Sequence, residues 1–344
     1  MTTTSTAAVL EQYGAPLALR QLPKPVPQAG EVLVRVMASG LCGTDLHMQD
    51  GRVAAVRLPH VPGHETSGVI TAIGDDVDRV RVGDCIIVGI DVTCGTCRYC
   101  ASGLPNLCAR LTRFGFEKDG GLQEYMAIPA RNALTFNSSK VSFAKAAIIP
   151  DAVACMYRAI KVQGQVCVAD RVCLLGMGGL GFQGIQIAKL CGAETYCTSR
   201  HDEKLDIARS MGADHVINTA AQDLRQAILD STGGELCDVV VDHIGSRTSV
   251  QAALDICRPG GRVVVVGYTD DEYCIDSQTM VLREKQIIGV RGSTIQDLTE
   301  TIRLVEAGKI DPFVSNSYQL TKVNQALQSL RDGQSMGRTV VVME

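Results

Sequence analysis

Six short apolar runs recur through the second half of the chain: Val172–Leu175, Thr195–Cys197, Val216–Ile217, Val239–Val241, Val263–Val266 and Ile287–Val290. The stretches between them, among them Leu180–Leu190, Glu203–Met211, Ala221–Leu229 and Thr248–Cys257, are long enough for helices. Strands joined by such connections pair in parallel through right-handed crossovers. The expected fold of this half is therefore α/β, a doubly wound parallel sheet of six strands.

The first run leads into Gly176-Met177-Gly178-Gly179-Leu180-Gly181, a G-x-G-x-x-G set between strand and helix. Gly176 permits the tight turn, Gly178 lets the main chain approach a pyrophosphate, and Gly181 lets the helix close on the strand. The helix start adds free N–H groups and a partial positive charge. In this setting the motif predicts a Rossmann dinucleotide site rather than a glycine turn without a ligand. The second strand ends Cys197-Thr198-Ser199-Arg200-His201, where an acid would serve the ribose 2′-hydroxyl of NAD and an arginine the 2′-phosphate of NADP. A carboxylate repels a phosphate dianion, whereas Ser199 donates a hydrogen bond, Arg200 offers a planar fork, and His201 and Lys204 are further donors. NADP(H) is favoured over NAD(H); the alternative is a solvated Arg200 with Asp202 on the ribose.

The first half has another texture. From Val9 to about Pro129, alternating runs such as Glu31–Met37, Ser67–Ile73 and Asp84–Val88 are broken by glycine and proline, the pattern of a β-rich barrel or sandwich with long loops. A helix at Ile295–Ala307 and a strand at Thr339–Met343 exceed what the six-stranded sheet uses, so they are expected to return to the first domain. The 344 residues thus read as two domains, 1–152 with 292–344 and 153–291, meeting along a cleft. The balance of 33 Lys and Arg against 37 Asp and Glu leaves no basic face for nucleic acid. No apolar run approaches the roughly 18–20 residues that cross a bilayer. The opening Met1-Thr-Thr-Thr-Ser-Thr-Ala-Ala lacks the blocks of a signal peptide, so a cytoplasmic protein is expected, with neither nucleic acid nor membrane as partner.

Fourteen cysteines in such a chain point to metal binding or buried thiols rather than disulfides. Cys94, Cys97, Cys100 and Cys108 follow C-x2-C-x2-C-x7-C, a spacing that lets one loop wrap four thiolates around a tetrahedral zinc. A site closed by four sulfurs has no open position, so its role is to fix the loop. An iron–sulfur cluster is the rival, although the seven-residue step is not its usual spacing. A second, dispersed set comprises Gly40-Leu41-Cys42-Gly43-Thr44-Asp45-Leu46-His47 and Pro62-Gly63-His64-Glu65. Taken singly, Cys42 reads as a small buried hydrophobe and His64 as a satisfied loop histidine.

Together, Gly40-Leu-Cys42-Gly-Thr44-Asp45, Gly63-His64-Glu65, the four-cysteine loop and Gly176-Met-Gly-Gly-Leu-Gly181 resemble the zinc-dependent medium-chain alcohol dehydrogenases, over essentially the whole chain and in that family's order. The resemblance implies a GroES-like catalytic domain, formed by the N-terminal half and the C-terminal tail, with a Rossmann domain between them. It assigns Cys42 and His64 to a catalytic zinc, and the four-cysteine loop to a second, structural one. The third ligand of the family, most often cysteine, falls on Asp151 in Pro150-Asp151-Ala-Val-Ala-Cys155-Met-Tyr157-Arg158-Ala159. A carboxylate is an ordinary zinc ligand, and with the Cys42 thiolate it offsets the ion's two charges. Glu65 is open to two roles, a ligand when substrate is absent or a neighbour of the ligands.

The implied activity is reversible hydride transfer between an alcohol and NADP(H) or NAD(H), with the alkoxide held on zinc and its proton relayed through Thr44 and His47. Asp45 is expected to accept the N–H of His64, to cap the helix that follows, or both. Ile244, Gly245, Val266, Gly267 and Tyr268 follow strand ends that border the cofactor crevice. Arg338, after Gly337, corresponds to a tail arginine that meets the cofactor phosphates. The family forms dimers and tetramers, so a homo-oligomer is expected. Two other readings are a zinc-free quinone or enoyl reductase, which usually lacks both cysteine sets, and a non-catalytic NADP(H)-binding sensor. The partner is a small alcohol or carbonyl; Gly51-Arg52-Val-Ala-Ala-Val-Arg57 lacks the aromatic common in the family there, and its arginines raise the option of an acidic substrate.

Overall fold

The computed structural model describes residues 3–343, and the chain divides into two compact units, Val153–Gly292 and the segments on either side of it. In the inner unit Arg171–Leu175, Glu194–Ser199, His215–Asn218, Cys237–Asp242, Cys257–Val265 and Gln286–Gly289 form one parallel sheet. Counting along the chain, its spatial order is third, second, first, fourth, fifth, sixth. The first and fourth strands are neighbours although the chain leaves them for opposite edges of the sheet, which is where such folds open a ligand crevice. Leu175 stands opposite Asp242 and Asp242 opposite Val265, so the ends of three strands lie level.

Strands buried on both faces have no polar side to show, which is why they read as continuous apolar runs. Val172, Cys173, Leu174, Tyr196, Val239, Val240, Val263 and Val264 are fully enclosed. The helices are Gly181–Leu190, Asp202–Ser210, Leu224–Thr232, Arg247–Ile256 and Ser277–Leu282. The third starts three residues later than its apolar pattern suggests, because Asp223 caps it by accepting the Gln226 N–H at 2.8 Å. Cys257, expected in a helix, opens a strand instead, and Val266 and Val290 fall just beyond their strands.

The outer unit is built on one long strand, Glu31–Leu41. It pairs antiparallel with Glu65–Ile73, with Tyr125–Pro129 and with the tail strand Arg338–Val342. Cys85–Val88, Ala133–Thr135 and Val314–Gln319 complete the sheet. Val32, Val34, Val36, Ile70, Ile86, Ile128 and Val341 fill its core; truncating a residue such as Ile70 to Ala should cost about 2–5 kcal/mol. Two pairings position the functional residues: Gly40 lies opposite Glu65, and Thr339 opposite Leu41. Cys42, Glu65 and Arg338 are therefore gathered at one end of three adjacent strands. The tail also contains the strand Val314–Gln319, polar and partly exposed, and a helix Val323–Arg331 that buries Val323, Ala326 and Leu327; neither was expected from the sequence pattern. Among the described residues no helix is long and apolar enough to cross a membrane.

Candidate metal centres and cofactor turn

Cys42 caps the helix Gly43–Gln49, and its N–H donates to Asp45 Oδ2 at 2.8 Å. His64 immediately precedes the strand Glu65–Ile73, and Asp151 lies in a widened helical turn, Ile149–Val153, of the kind that often marks a functional position. One donor atom from each of Cys42, His64 and Asp151 lies within 4.8 Å of the other two. His64 Nε2 is 3.7 Å from Asp151 Oδ2, and its Nδ1 is 3.4 Å from Asp45 Oδ1. Neither of that second pair of atoms makes a hydrogen bond elsewhere, and both are buried. An Nδ1–H turned to Asp45 leaves the Nε2 lone pair facing Cys42 and Asp151, the form of histidine that ligates a metal.

The charges fit a cation at this point. Burial opposes a charge on His64, but the carboxylates of Asp45 and Asp151 outweigh it and hold the imidazole well above its usual pKa. A metal ion takes the place of that proton when it binds. Burial pushes Glu65 up to about 7 against the pull of Arg338. Asp151 is desolvated too, yet His64 and Arg338 hold its carboxyl below the usual range. One sulfur, one nitrogen and one carboxylate oxygen suit zinc and leave a fourth position open, the arrangement of a catalytic rather than a structural ion.

The four-cysteine loop is closed at its neck by the short pair Asp91–Val92 and Thr112–Arg113. Its sulfurs stand 3.5 Å apart for Cys94–Cys108, 3.6 Å for Cys97–Cys100, 3.9 Å for Cys97–Cys108 and 4.0 Å for Cys94–Cys100. A zinc tetrahedron with bonds of about 2.3 Å has edges of about 3.8 Å, so the four thiols already outline one. The backbone N–H groups of Thr96 and Cys97 pull the Cys94 thiol down to about 5, while desolvation and its sulfur neighbours push Cys100 up to about 11.

In the inner unit Gly176 adopts φ +94°. A Cβ at Gly181 would lie 2.4 Å from the Gly176 carbonyl oxygen, whereas one at Gly178 would meet nothing, so the main chain there faces open space. The Gly176 N–H donates to Thr198 Oγ1 at 2.9 Å, and His243 Nε2–H donates to the Gly176 carbonyl at 2.6 Å. Asp242 is buried and accepts the N–H groups of Ile244 and Gly245, which fixes the neighbouring loop. Ser199 is buried and accepts the His201 N–H at 3.1 Å, while Arg200 and His201 are exposed beside it. Asp202, the alternative ribose acid, accepts from Asn218 Nδ2 at 2.7 Å.

The proposed residues thus fall into two groups. Cys42, His64 and Asp151 come together in the outer unit, with Thr44 Oγ1 3.6 Å from Cys42 Sγ and Glu65 joined to Asp151 through Arg338, while His47 lies one turn beyond Thr44 on the same helix. Gly176, Gly178, Gly179, Leu180 and Gly181, with Ser199, Arg200 and His201 and with Ile244, Gly245, Val266, Gly267 and Tyr268, follow adjacent strand ends of the inner sheet. Arg338, expected at the cofactor phosphates, is buried and paired with the enclosed Glu65 and the half-buried Asp151, carboxylates that call for a cation beside them. An unexpected neighbour is Phe116, whose ring centroid lies 5.3 Å from that of His64, with the Arg113 guanidinium 3.8 Å from the Phe116 centroid. Nothing in the spacing around Phe116 marks it.

Comparison with known proteins agrees with this arrangement. A model of the alcohol dehydrogenase GroES-like domain matches residues 28–138, and one of zinc-binding dehydrogenases matches residues 179–307. An alcohol dehydrogenase of Geobacillus stearothermophilus is 36% identical, over 98% of this chain and 99% of its own. An L-threonine 3-dehydrogenase of Pyrococcus furiosus is 30% identical, over 97% and 96% respectively. The cobalt- and zinc-bound alcohol dehydrogenase of Pyrobaculum aerophilum superposes with a TM-score of 0.89 at 29% identity, over 98% of this chain and 99% of that one. With a GroES-like domain, a Rossmann sheet and full-length relatives of this kind, the chain belongs to the zinc-dependent medium-chain alcohol dehydrogenases, NAD(P)-dependent oxidoreductases.

Proposed function

We propose that the protein moves a hydride between a small alcohol or carbonyl compound and NADP(H), with NAD(H) the weaker cofactor, and that it carries two zinc ions per chain. The observation that carries this reading is the convergence of Cys42, His64 and Asp151, from three distant segments, with donor atoms within 4.8 Å. Those residues would hold the catalytic ion, and Cys94, Cys97, Cys100 and Cys108 the structural one. When bound, zinc supplies a Lewis acid that makes an alcohol hydroxyl easier to deprotonate, and nicotinamide accepts the hydride. Thr44 takes the departing proton on its hydroxyl and His47, one turn on, passes it to solvent. Asp45 keeps His64 in the ligating tautomer. Residues 1–152 with 292–344 form the catalytic domain in this reading and residues 153–291 the cofactor domain.

Preference for NADP(H) rests on Ser199, Arg200 and His201 at the end of the second strand and on the prior engagement of Asp202 by Asn218. The glycines Gly176 to Gly181, with Leu180, would meet the pyrophosphate, and Ile244, Gly245, Val266, Gly267 and Tyr268 would border the nicotinamide half. A homo-oligomeric state, dimer or tetramer, rests on the family resemblance alone. The test is turnover of primary, secondary, aromatic, polyol and acyl-CoA alcohols with each cofactor, followed by nicotinamide absorbance, beside a metal count. Thr44→Val should lower kcat and retain both zinc ions; unchanged kcat with hydride transfer rate-limiting would remove Thr44 from the relay.

A further inference from the structure

We propose that Arg338 is the positioning residue of the Cys42–His64–Asp151 centre: it locks Glu65 in a buried ion pair, keeps that carboxylate off the metal, and so leaves Asp151 as the third protein ligand. This rests on the zinc reading above. Glu65 follows a ligand directly in sequence and is fully enclosed. Arg338 Nε donates to Glu65 Oε1 at 2.9 Å and to Oε2 at 3.0 Å, Nη2 adds a further bond to Oε1, and the Ala152 N–H donates to Oε1 at 3.2 Å. Both Glu65 oxygens are thereby held. Asp151 meets the same guanidinium through Oδ2 alone, at 2.5 Å.

Three further features support the lock. The room for Glu65 exists only because residue 40 is glycine, where a Cβ would lie 1.9 Å from Glu65 Oε2. Pairing of Thr339 with Leu41 and of Gly40 with Glu65 fixes Arg338 and Glu65 in the same sheet that places Cys42. The charges also close: a Cys42 thiolate and an Asp151 carboxylate offset a divalent ion, and Arg338 offsets Glu65. A planar fork spans two carboxylates at once, which a lysine ammonium does not do with the same geometry. Without the arginine, Glu65 is a buried unpaired carboxylate, and the nearest relief is the metal's open position.

The experiment replaces zinc with cobalt(II) in the wild type, Arg338→Ala, Arg338→Lys, Glu65→Gln and the Arg338→Ala/Glu65→Gln double variant. Visible absorption and zinc affinity by chelator competition are then read for each. Four-coordinate cobalt absorbs several-fold more strongly than five-coordinate cobalt, and the four-thiolate loop contributes equally to every sample. Expected is a several-fold loss of the absorption assigned to the Cys42 centre in Arg338→Ala, with zinc held at least as tightly as in the wild type. The Glu65→Gln change should restore the four-coordinate spectrum in that background and leave it unaltered in the wild-type background, and Arg338→Lys should fall between. An unchanged Arg338→Ala spectrum overturns the proposal. So does a drop of about 10–100-fold in zinc affinity, as follows loss of an ordinary ligand-orienting partner, or a comparable drop in Glu65→Gln alone. If Arg338→Ala fails to fold, the Glu65→Gln and Arg338→Lys spectra decide. A wild type that takes up only the metal of the four-cysteine loop defeats the zinc reading itself.

Discussion

Asp45 Oδ1 stands 3.4 Å from His64 Nδ1 while the other oxygen of the same carboxylate accepts the Cys42 N–H at 2.8 Å. One buried side chain thus orients two proposed metal ligands and caps the helix between Gly43 and Gln49. Asp45→Asn keeps the volume and the capping oxygen but sets an amide against His64, which disturbs its tautomer. Affinity for zinc at the Cys42 centre should fall about 10–100-fold, with the four-cysteine ion unaffected. Chelator titration would show one equivalent leaving early; two equivalents leaving together at the wild-type concentration would contradict this role.

The four-cysteine loop has little apolar cover of its own, since Leu104 and Leu107 are exposed. Its closure depends on the sulfur tetrahedron and on the two-residue strand pair at its neck. Cys97→Ser should therefore lose one zinc equivalent and open the segment from Thr93 to Leu111 to limited proteolysis, while the Cys42 centre still binds metal. Equal protease resistance in variant and wild type would mean that the strand pair alone closes the loop.

Signals tied to chain period and to ligand spacing are legible in the sequence itself. Six apolar runs imply the parallel sheet, and C-x2-C-x2-C-x7-C implies a loop whose sulfurs do outline a tetrahedron. Asp151 emerges only through family resemblance, because a lone carboxylate in Ile-Pro-Asp-Ala-Val has no periodic mark and its widened turn is a tertiary feature. Arg338 stands out in the tail, but its pairing with Glu65 and Asp151 is not marked by the sequence around it. Its partners depend on the pairing of strands some 300 positions apart, Thr339 with Leu41, which local pattern does not encode. The tail strand Val314–Gln319 escapes pattern reading for a related reason: its alternation is polar and its burial only partial.

Arg200 bears on cofactor choice. It is exposed beside the buried Ser199, and Asp202 is engaged by Asn218 at 2.7 Å. A hydrogen bond to a charged group is worth about 1.5–3 kcal/mol, so Arg200→Ala should lower kcat/KM for NADPH by roughly tenfold to a hundredfold and leave NADH nearly unchanged. Steady-state kinetics with both cofactors decide the matter. Equal losses for NADPH and NADH would show that Arg200 shapes the loop without reading the phosphate.

His243 makes the inner unit sensitive to acid. Its Nε2–H donates to the Gly176 carbonyl at 2.6 Å, and Nδ1 is enclosed without a hydrogen-bond partner. Burial pulls its pKa below the ordinary 6.5, against the opposing influence of the Gly176 carbonyl and Asp242. The folded state thus favours the neutral ring, whereas the unfolded chain takes up the proton near its usual value of about 6.5. Stability from this group is complete above that pH and is lost as pH falls through the lower folded-state value, with a slope of at most about 1.4 kcal/mol per pH unit. His243→Gln keeps a donor for Gly176 and removes the titration. The stability difference between wild type and variant, from urea midpoints below pH about 6.5, should shift against the wild type as acid is added. A shift in favour of the wild type would mean that Asp242 stabilises the imidazolium more than burial penalises it.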